Sequence, residues 1–323
     1  MARSTPRIAL VTCQEVRESG YDRDLPVLAD AVRQAGGAGA DVAVVSWDDP
    51  DVEWGGFDLA LIRSTWDYSW RPAEFLAWAD RCGAATALAN PPEVVRWNAD
   101  KRYLGDLAAA GVPVVDTRYL APGDLADPTD PTDVADVADP TDVAASAGLP
   151  TDREYVVKPT SGAGARYAAR YTPDEHGTAV RHLERMHAEG LTAMVQPYIR
   201  SIDTAGERAL VFFGGRFLHA IRKGAVLEPG TAYDDDKVPH PNLRTWQPSP
   251  AELAVAERAL AAVPGAPELL YARVDLVDGD DGAPRVMELE LVEPNLFLFL
   301  HEASVPVVAE AVVAEAAGRA ALR

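Results

Sequence analysis

Cysteine and long apolar runs are both scarce in this 323-residue chain. Its cysteines, Cys13 and Cys82, are too few for a disulfide framework and lack the spacing of metal ligands, so we expect a reducing, cytoplasmic location. The most apolar run, residues 291–300, is interrupted by Glu293 and Asn295 and is far shorter than a membrane-spanning helix. Because the first residues also lack the apolar core of a leader peptide, we expect neither secretion nor a membrane partner.

Positively charged residues are also scarce. Lys and Arg number 30 against 50 Asp and Glu, which gives a formal net charge of −20. Such an excess repels the phosphate backbone and argues against general nucleic-acid binding, although it allows a nucleotide pocket with local positive charge. The hydrophobic share of 48% is ordinary for a folded protein, and the length suits one or two globular domains.

Many of the acidic residues lie in one segment, residues 121–152. This segment holds eight Asp, no Lys or Arg, and three copies of the tetrapeptide DPTD. Spaced prolines and mutually repelling carboxylates oppose both helix and strand, so we expect a mobile insertion. Calcium binding is the alternative, but the spacing lacks the Gly and the terminal Glu of an EF-hand loop.

Outside the insertion, two patterns of secondary structure follow one another. Short apolar strands alternate with helices over the first part of the chain, which predicts a mostly parallel α/β sheet. In the second half, strands are paired through Gly214-Gly215 and through the acidic turn DGDDG, which predicts antiparallel hairpins. We also expect one helix over residues 98–110 and a strand directly after the small-residue loop SGAGA, residues 161–165.

Three carboxylates lie on predicted strands that are otherwise apolar: Asp275, Glu288 and Glu290. Residues i and i+2 of a strand share a face, so Glu288 and Glu290 point the same way. If Asp275 shares that face, the three groups converge in a sheet interior and require a cation, for which Mg²⁺ is the simplest choice. The alternative is a hairpin whose acidic face lies in water.

Basic residues also occur in apolar surroundings: Lys101 at the head of a predicted helix, Lys158 at the end of a predicted strand, and Arg208, Arg222 and Lys223 on the predicted central hairpin. Each alone is typical of a solvated surface charge. Lys158, however, ends the strand EYVVKP and precedes the SGAGA loop, whose small residues allow a ligand to approach the backbone closely. That arrangement suits a triphosphate, whereas a plain flexible turn is the alternative interpretation of the loop.

Taken in order, these segments resemble the ATP-grasp superfamily, and within it the glutathione-synthetase and RimK-like ligases. The resemblance runs from Ile8 to Val313 outside the acidic insertion, and it rests on the order of individually weak motifs. The motifs are NADKRYLGDLAAAGVPVVDT, EYVVKPTSGAGAR, MVQPYI, GERALVFFGGRFLHAIRK, ARVDL and MELELVEP. The resemblance implies an ATP-grasp fold with an N-terminal α/β domain over residues 1–97, a lid subdomain over 98–196 and an antiparallel catalytic core over 197–323.

The resemblance also implies roles for individual residues. The positions that match contacts to ATP are Lys101 and Lys158 for the phosphates, Ser161, Gly162, Ala163 and Gly164 of the lid, Gln196, Pro197, Tyr198 and Ile199 of the adenine hinge, and Asp203 for the ribose. The positions that match the phosphoryl-transfer machinery are Arg208 and Arg222, with Arg273 as a further candidate, and the magnesium ligands Asp275, Glu288 and Glu290. One departure is that the usual Glu-x-Asn motif is Glu288-Leu289-Glu290 in this chain.

The segment IRSTWDYSW follows a predicted strand, and ligands of open α/β sheets bind beyond the carboxyl ends of strands. The substrate candidates are therefore Arg63, Ser64, Thr65, Trp66, Asp67 and Tyr68. A cation, hydroxyls and a carboxylate together can hold an amino acid by its two charged groups. In the alternative interpretation, Trp66 and Tyr68 fill a domain interface and Asp67 caps the following helix.

The implied reaction is phosphorylation of a substrate carboxylate by ATP with Mg²⁺, followed by attack of an amine on the acyl-phosphate. We expect a small amino-acid-like substrate and, as is common in this branch, a homodimer. The RSTWDY segment and the short GERALVFFGG hairpin are similar to those of the cyclo-ligases that close O-ureido-serine into cycloserine. An intermolecular ligase and an ATP-binding regulatory protein without turnover are the alternatives.

Overall fold

The computed structural model describes residues 5–35, 39–124, 148–233, 240–265 and 267–320. Its strands form three sheets. Most of the acidic insertion, residues 125–147, lies outside the described residues, so the mobile-insertion and calcium-loop interpretations both stay predictions.

The first sheet is parallel and lies in the N-terminal part of the chain. Its strands, in the spatial order β2-β1-β3-β4, are β1 (Arg7–Thr12), β2 (Asp41–Ser46), β3 (Leu59–Ser64) and β4 (Ala87–Ala89). The helices of this part are α1 (Gln14–Ser19), α2 (Asp24–Gln34), α3 (Pro72–Ala85) and α4 (Pro92–Asn98). Strands β1 and β3 are buried over nearly their whole length, as expected of apolar strands in a parallel sheet with both faces covered.

The second sheet is antiparallel, with the spatial order β5-β8-β6-β7. Its strands are β5 (Arg118–Leu120), β6 (Tyr155–Pro159), β7 (Ala169–Tyr171) and β8 (Ala193–Pro197), preceded in the chain by helix α5 (Tyr103–Ala109). Helix α6 (His176–Ala188) covers one face, where Leu183 and Met186 pack in one apolar cluster with Tyr155 and Val157. We call this sheet together with α6 the lid.

The third sheet is also antiparallel and has the spatial order β11-β10-β9-β12-β13. Its strands are β9 (Glu207–Phe213), β10 (Arg216–Lys223), β11 (Arg244–Trp246), β12 (Tyr271–Asp278) and β13 (Pro284–Glu290). The remaining helices are α7 (Ser201–Ala205), α8 (Pro250–Ala261) and α9 (Ser304–Ala320). The predicted combination of a parallel front sheet and antiparallel hairpins behind it is confirmed.

The helix predicted over residues 98–110 is wrong in one respect, because the chain turns between α4 and α5. At this turn the backbone N–H of Lys101 donates to the carbonyl of Thr160 at 2.7 Å. The buried Asn98 side chain donates to the carbonyl of Leu289 at 2.8 Å and accepts from the backbone N–H of Leu291 at 2.7 Å. These contacts join the turn to both the lid and β13. Lys101 therefore lies between the lid and β13.

The strand predicted directly after the SGAGA loop is shorter than expected, because β7 begins only at Ala169. Tyr167 has a φ of 54° and therefore turns the chain before the strand can begin. Among the described residues, no helix combines the length and apolarity that crossing a bilayer requires.

Candidate active site

A cavity of about 610 Å³ opens where the three sheets meet. The turn Trp66–Trp70 after β3, the β12–β13 hairpin and the lid all contribute to its wall. The lid contributes chiefly the loop between β6 and β7, residues 160–168, which we call the lid loop. Because each wall comes from a different part of the fold, groups that are distant in sequence converge on one volume.

Two lysines line this cavity next to the lid loop. Lys101 donates from its ammonium group to the carbonyl of Gly162 at 2.6 Å and lies 3.2 Å from a carboxylate oxygen of Glu288. Burial alone would lower the pKa of Lys101, but Glu288 raises it above its ordinary value. Lys158 is half-buried, and no described residue forms a salt bridge with it. Burial lowers the pKa of Lys158, so a bound anion would relieve a real desolvation cost.

The carboxylates Asp275, Glu288 and Glu290 converge, as the strand pattern predicts. Asp275 pairs with Glu288 across β12 and β13, and each of the three groups offers an oxygen within 4.8 Å of the others. Asp275 is fully buried, whereas Glu288 and Glu290 line the cavity. The water-facing hairpin is therefore wrong for these residues.

Two cations balance this acidic cluster from within the protein. The guanidinium of Arg273 donates to Asp275 at 2.8 Å and also contacts Glu290, while the ammonium of Lys223 lies 2.6 Å from Asp275 and contacts Glu207. Burial alone would raise the pKa of Asp275, but Arg273 and Lys223 hold it well below its usual range. Burial raises the pKa of Glu290 to about 8; the neighbouring carboxylates Glu288 and Asp275 add to this rise, and Arg273 opposes it.

The donor set of this cluster fits Mg²⁺. Three carboxylates offer the hard oxygen ligands that this ion prefers, and two of them face the open cavity, where phosphate and water would complete the coordination of a bound ion. Glu290 supplies an oxygen where the family motif has Asn, and Arg273 balances the charge that it adds.

The opposite end of the cavity is apolar and lies at the end of β8. Pro197, Tyr198 and Ile199 line it, and Gln196 lines it while donating to the hydroxyl of Thr117 at 2.9 Å. Asp203 lies beside this hinge but outside the cavity lining, where it accepts a hydrogen bond from the Tyr198 hydroxyl at 2.5 Å.

Only some of the lid-loop residues that were expected to contact ATP line the cavity. Gly162, Ala163 and Gly164 line the cavity, whereas Ser161 does not. The Ser161 hydroxyl is buried without a hydrogen-bond partner among the described residues. Lys101 therefore holds the lid loop at the backbone carbonyl of Gly162.

The structure places Arg208 and Arg222 away from the cavity, in contrast to the expectation for both residues. Side chains alternate along a strand, so Glu207 and Lys223 face the cavity while their neighbours Arg208 and Arg222 face the opposite side. Arg208 is bound to Glu252 at 2.9 Å and contacts Asp278. Arg222 donates to backbone carbonyl groups of α7.

Of the six substrate candidates in the segment IRSTWDYSW, only Trp66 and Tyr68 line the cavity. Arg63 is buried and donates to the carbonyl of Pro294 at 2.9 Å, and the hydroxyls of Ser64 and Thr12 lie 2.9 Å apart. The Thr65 hydroxyl is buried without a hydrogen-bond partner among the described residues. Asp67 accepts from Trp47 at 2.9 Å and from Arg71 at 2.6 Å, so it stabilises the turn as an ion pair rather than as a helix cap.

Sequence reasoning assigned no site role to several residues of the cavity wall, although it had singled out Lys223 as a basic residue in apolar surroundings. These include Tyr21, Arg23, Arg166, Glu207, Lys223, Glu293, Asn295 and Phe299. The alternation of β10 carries a signal for Lys223, since it pairs with Glu207 across the hairpin while Arg222 pairs with Arg208. The sequence carries no such signal for Arg23 and Phe299, because only the packing of α2 against the segment after β13 brings them together. The guanidinium of Arg23 lies 4.0 Å from the centroid of the Phe299 ring.

Comparisons with known proteins agree with this geometry. Residues 8–90 match the family model described as the N-terminal domain of the D-cycloserine synthetase DcsG. The chain is 41% identical over 308 residues to the cycloserine biosynthesis protein DcsG of Streptomyces lavendulae, covering 91% of this chain and 94% of that protein. A crystal structure of D-cycloserine synthetase DcsG superposes with a TM-score of 0.81 at 37% identity, covering 96% of this chain and 99% of that one.

More distant structures share the fold. A D-alanine–D-alanine ligase from Bacillus anthracis, solved with ATP, has a TM-score of 0.62 at 18% identity and covers 98% of both chains. The ATP-grasp ligase PsnB, solved with Mg and ADP, has a TM-score of 0.58 at 18% identity, with 96% of this chain and 98% of that chain covered. The bound ATP, and the bound Mg and ADP, belong to these two proteins, which share the fold of this chain.

The predicted ATP-grasp fold and the predicted ATP-dependent C–N ligase activity are confirmed by these relatives. They also agree with a role in antibiotic biosynthesis, and neither they nor the described residues favour the regulatory alternative. The chain therefore belongs to the D-cycloserine synthetase family of ATP-grasp ligases.

Proposed function

We propose that this enzyme is an amino-acid cyclo-ligase that closes a serine derivative bearing nitrogen on its side-chain oxygen, such as O-ureido-serine, into cycloserine. The observation that carries the proposal is the meeting of two lysines, Arg273 and the carboxylate cluster in one cavity of about 610 Å³. This volume is large enough for a nucleotide and a small substrate but leaves little room for a protein terminus. The name of the relative with 41% identity supports the same product.

In this proposal ATP lies along the cavity from the hinge to the carboxylates. The adenine ring packs beside Tyr198 and Ile199, and the phosphates lie between Lys101 and Lys158 under the lid loop. Asp275, Glu288 and Glu290 would hold Mg²⁺, which when bound neutralises phosphate charge. Arg273 lies at the same end and is charged at all working pH values, so it holds the carboxylate that receives the phosphoryl group.

The chemistry proceeds in two balanced steps. A carboxylate oxygen of the substrate attacks the γ-phosphorus of ATP, and ADP leaves with the bonding pair. The nitrogen on the side-chain oxygen then attacks the acyl carbon, so that a C–N bond forms, the bond to phosphate breaks, and the nitrogen gives up its proton. With a ureido substrate the ring still carries a carbamoyl group, which water removes as ammonia and carbon dioxide.

Trp66 and Tyr68 form the part of the cavity wall that we assign to the substrate. Burial and the carboxylates Glu293 and Glu290 raise the pKa of Tyr68 well above its ordinary value, so its hydroxyl stays protonated and can donate a hydrogen bond to the substrate. A neutral donor among carboxylates suits contact with the carboxylate group of the substrate. We also propose a cytoplasmic location, where ATP is available and the buried thiols of Cys13 and Cys82 stay reduced.

The test is the release of ADP and phosphate from ATP and Mg²⁺ with amino acids, hydroxamates and ureido-amino acids, supplied singly and in pairs. We expect one compound alone to activate turnover and to give a cyclic product lighter than the substrate. A required pair with a heavier product would instead establish an intermolecular ligase. ATP binding without turnover across the whole panel would contradict the proposal.

A further inference from the structure

The turn that carries the substrate candidates also contacts the lid loop. Trp66 and Tyr68 of this turn line the cavity, while Trp70 at its end lies outside the cavity lining and is 52% exposed. The ring of Trp70 meets Tyr167 of the lid loop edge to face, with the centroids 6.5 Å apart. The N-terminal part and the lid are therefore in direct contact at Trp70.

Arg166 of the lid loop completes this contact. Its guanidinium lies over the ring of Trp70, 2.9 Å from the centroid, and 4.6 Å from the centroid of Tyr167. Arg166 is only 5% exposed, and it lines the cavity that Trp66 and Tyr68 also line. A planar guanidinium between two aromatic rings is a favourable arrangement, and its strength rises when water is excluded. We call Trp70, Arg166 and Tyr167 the clasp.

The backbone of the lid loop requires such support. Ala165 and Tyr167 have φ values of 60° and 54°, in the left-handed region that residues with a Cβ atom disfavour. Conformations of this kind persist where the surroundings hold them, and they concentrate at functional sites. Tyr167 is held further by its hydroxyl, which donates to Glu189 at 2.9 Å, and by the ring of Tyr233 at 5.2 Å. The clasp is the part of this support that reaches the N-terminal part of the chain.

We propose that Trp70 is a positioning residue that joins the substrate turn to the lid loop through Arg166. The lid loop then lies fully over the phosphates only when the turn is in its substrate-bound position. Because the acyl-phosphate is destroyed by water, this connection keeps ATP consumption coupled to ring closure. The coupling of ATP consumption to ring closure rests on the proposed cyclo-ligase activity. The positioning of the lid loop by Trp70 does not depend on that activity.

The experiment compares Trp70→Ala with the unmodified enzyme in two assays. The first measures ADP formed per cyclic product, which we expect to rise from about one to between roughly two and five, as loss of a partly exposed cation–π contact predicts. The second measures hydrogen exchange of residues 161–168 with ATP and Mg²⁺ present, which we expect to become faster. Trp246→Ala is the matched control, because Trp246 is 36% exposed on β11 and does not line the cavity.

Two conservative variants separate the clasp from a general loss of packing. Trp70→Phe keeps an aromatic face, so we expect ADP per product to stay below twice that of the unmodified enzyme. Arg166→Lys keeps the charge but loses the planar stacking, so we expect it to resemble Trp70→Ala in both assays. Unchanged coupling together with unchanged lid-loop exchange in a folded Trp70→Ala protein would overturn the inference. Absence of cyclic product in the unmodified enzyme would contradict the proposed function alone, since the exchange assay does not depend on product.

Discussion

Lys158 is a half-buried ammonium group that forms no salt bridge with any described residue, and burial lowers its pKa. A bound phosphate would offset that desolvation cost, so we expect Lys158 to contribute more to ATP binding than to the stability of the fold. We expect Lys158→Met to weaken ATP binding by roughly 30-fold, the equivalent of losing one charge-assisted hydrogen bond. Isothermal titration with ATP and Mg²⁺ measures this. Arg216→Met, which removes an exposed cation from the start of β10, is the control, and equal affinities in both variants would contradict a phosphate role for Lys158.

His219 provides a residue-scale prediction about pH. It is 5% exposed, its Nδ1 lies 2.8 Å from the hydroxyl of Ser304, its Nε2 lies 2.7 Å from the carbonyl of Leu296, and its ring stacks on His301. Burial lowers its pKa to about 4. The folded state therefore resists protonation, so the stability that His219 contributes is complete above about pH 6.5 and is lost as the pH falls toward 4.

Between pH 7 and pH 5 this effect should cost about 2 kcal/mol of unfolding free energy. Urea unfolding at both pH values, in the unmodified protein and in His219→Asn, isolates the contribution. We expect the variant to be less stable at pH 7 but to lose about 2 kcal/mol less on acidification. Identical pH dependence in the two proteins would show that His219 is not the group responsible.

The carboxylate cluster and Lys158 stood out as single residues because each interrupts or ends an otherwise apolar strand, whereas the role expected of Lys101 came from the resemblance to the ATP-grasp superfamily. Asp67 and Arg63 looked equally promising in sequence. Their partners, Arg71 and Trp47 for Asp67 and Pro294 for Arg63, are visible only in the fold. A charged residue near a strand end is thus ambiguous until its partners are known, because an ion pair and a binding site begin from the same residue types.

At the scale of elements, the β9–β10 hairpin presents two different faces. Glu207 and Lys223 face the cavity, whereas Arg208 on the other face is 2% exposed and bound to Glu252 and Asp278. Removing one partner from a buried ion pair leaves the other charge uncompensated. We expect Arg208→Met to lower the unfolding free energy by about 3 kcal/mol while leaving the KM for ATP unchanged.

Lys223→Met is the matched variant on the cavity face, and we expect it to reduce kcat/KM by at least 100-fold, because two carboxylates lose their common cation. Chemical denaturation and steady-state kinetics on both variants give the comparison. A large rise in the KM for ATP in Arg208→Met would place Arg208 in the phosphoryl-transfer machinery after all.

Element types followed from periodicity, but the break between α4 and α5 did not. Propensity over residues 98–110 favours one continuous helix, and tertiary hydrogen bonds from Asn98 to β13 and from Lys101 to Thr160 override it. The same contacts place Lys101 at the cavity, so the secondary-structure prediction fails at a residue to which the proposed function assigns phosphate binding.

At the scale of the whole molecule, the hydrophobic clusters do not follow the predicted domain order. One buried cluster contains Leu28 of α2, Val211 of β9, Tyr271 of β12 and Val312 of α9. The N-terminal sheet and the third sheet thus share a core that the C-terminal helix completes. The buried members of the lid cluster, by contrast, all lie between residues 120 and 195. The boundaries at 97/98 and 196/197 stay predictions, but shared packing makes the first and third parts one cooperative unit.

This difference predicts two levels of protection against hydrogen exchange. Amides of β1, β9 and β12 should exchange only through global unfolding, since their shared core opens as a whole. Amides of β6 and β8 should exchange faster, through opening of the lid, whose smaller core can separate without disturbing the larger one. In the proposed binding mode, ATP with Mg²⁺ contacts both sides of the cavity. At 100 times its dissociation constant it should therefore slow lid exchange by about 100-fold, and removal of Mg²⁺ by EDTA should reverse the effect. Equal exchange rates for β6 and β9 in the free enzyme would mean instead that the lid and the shared core open together.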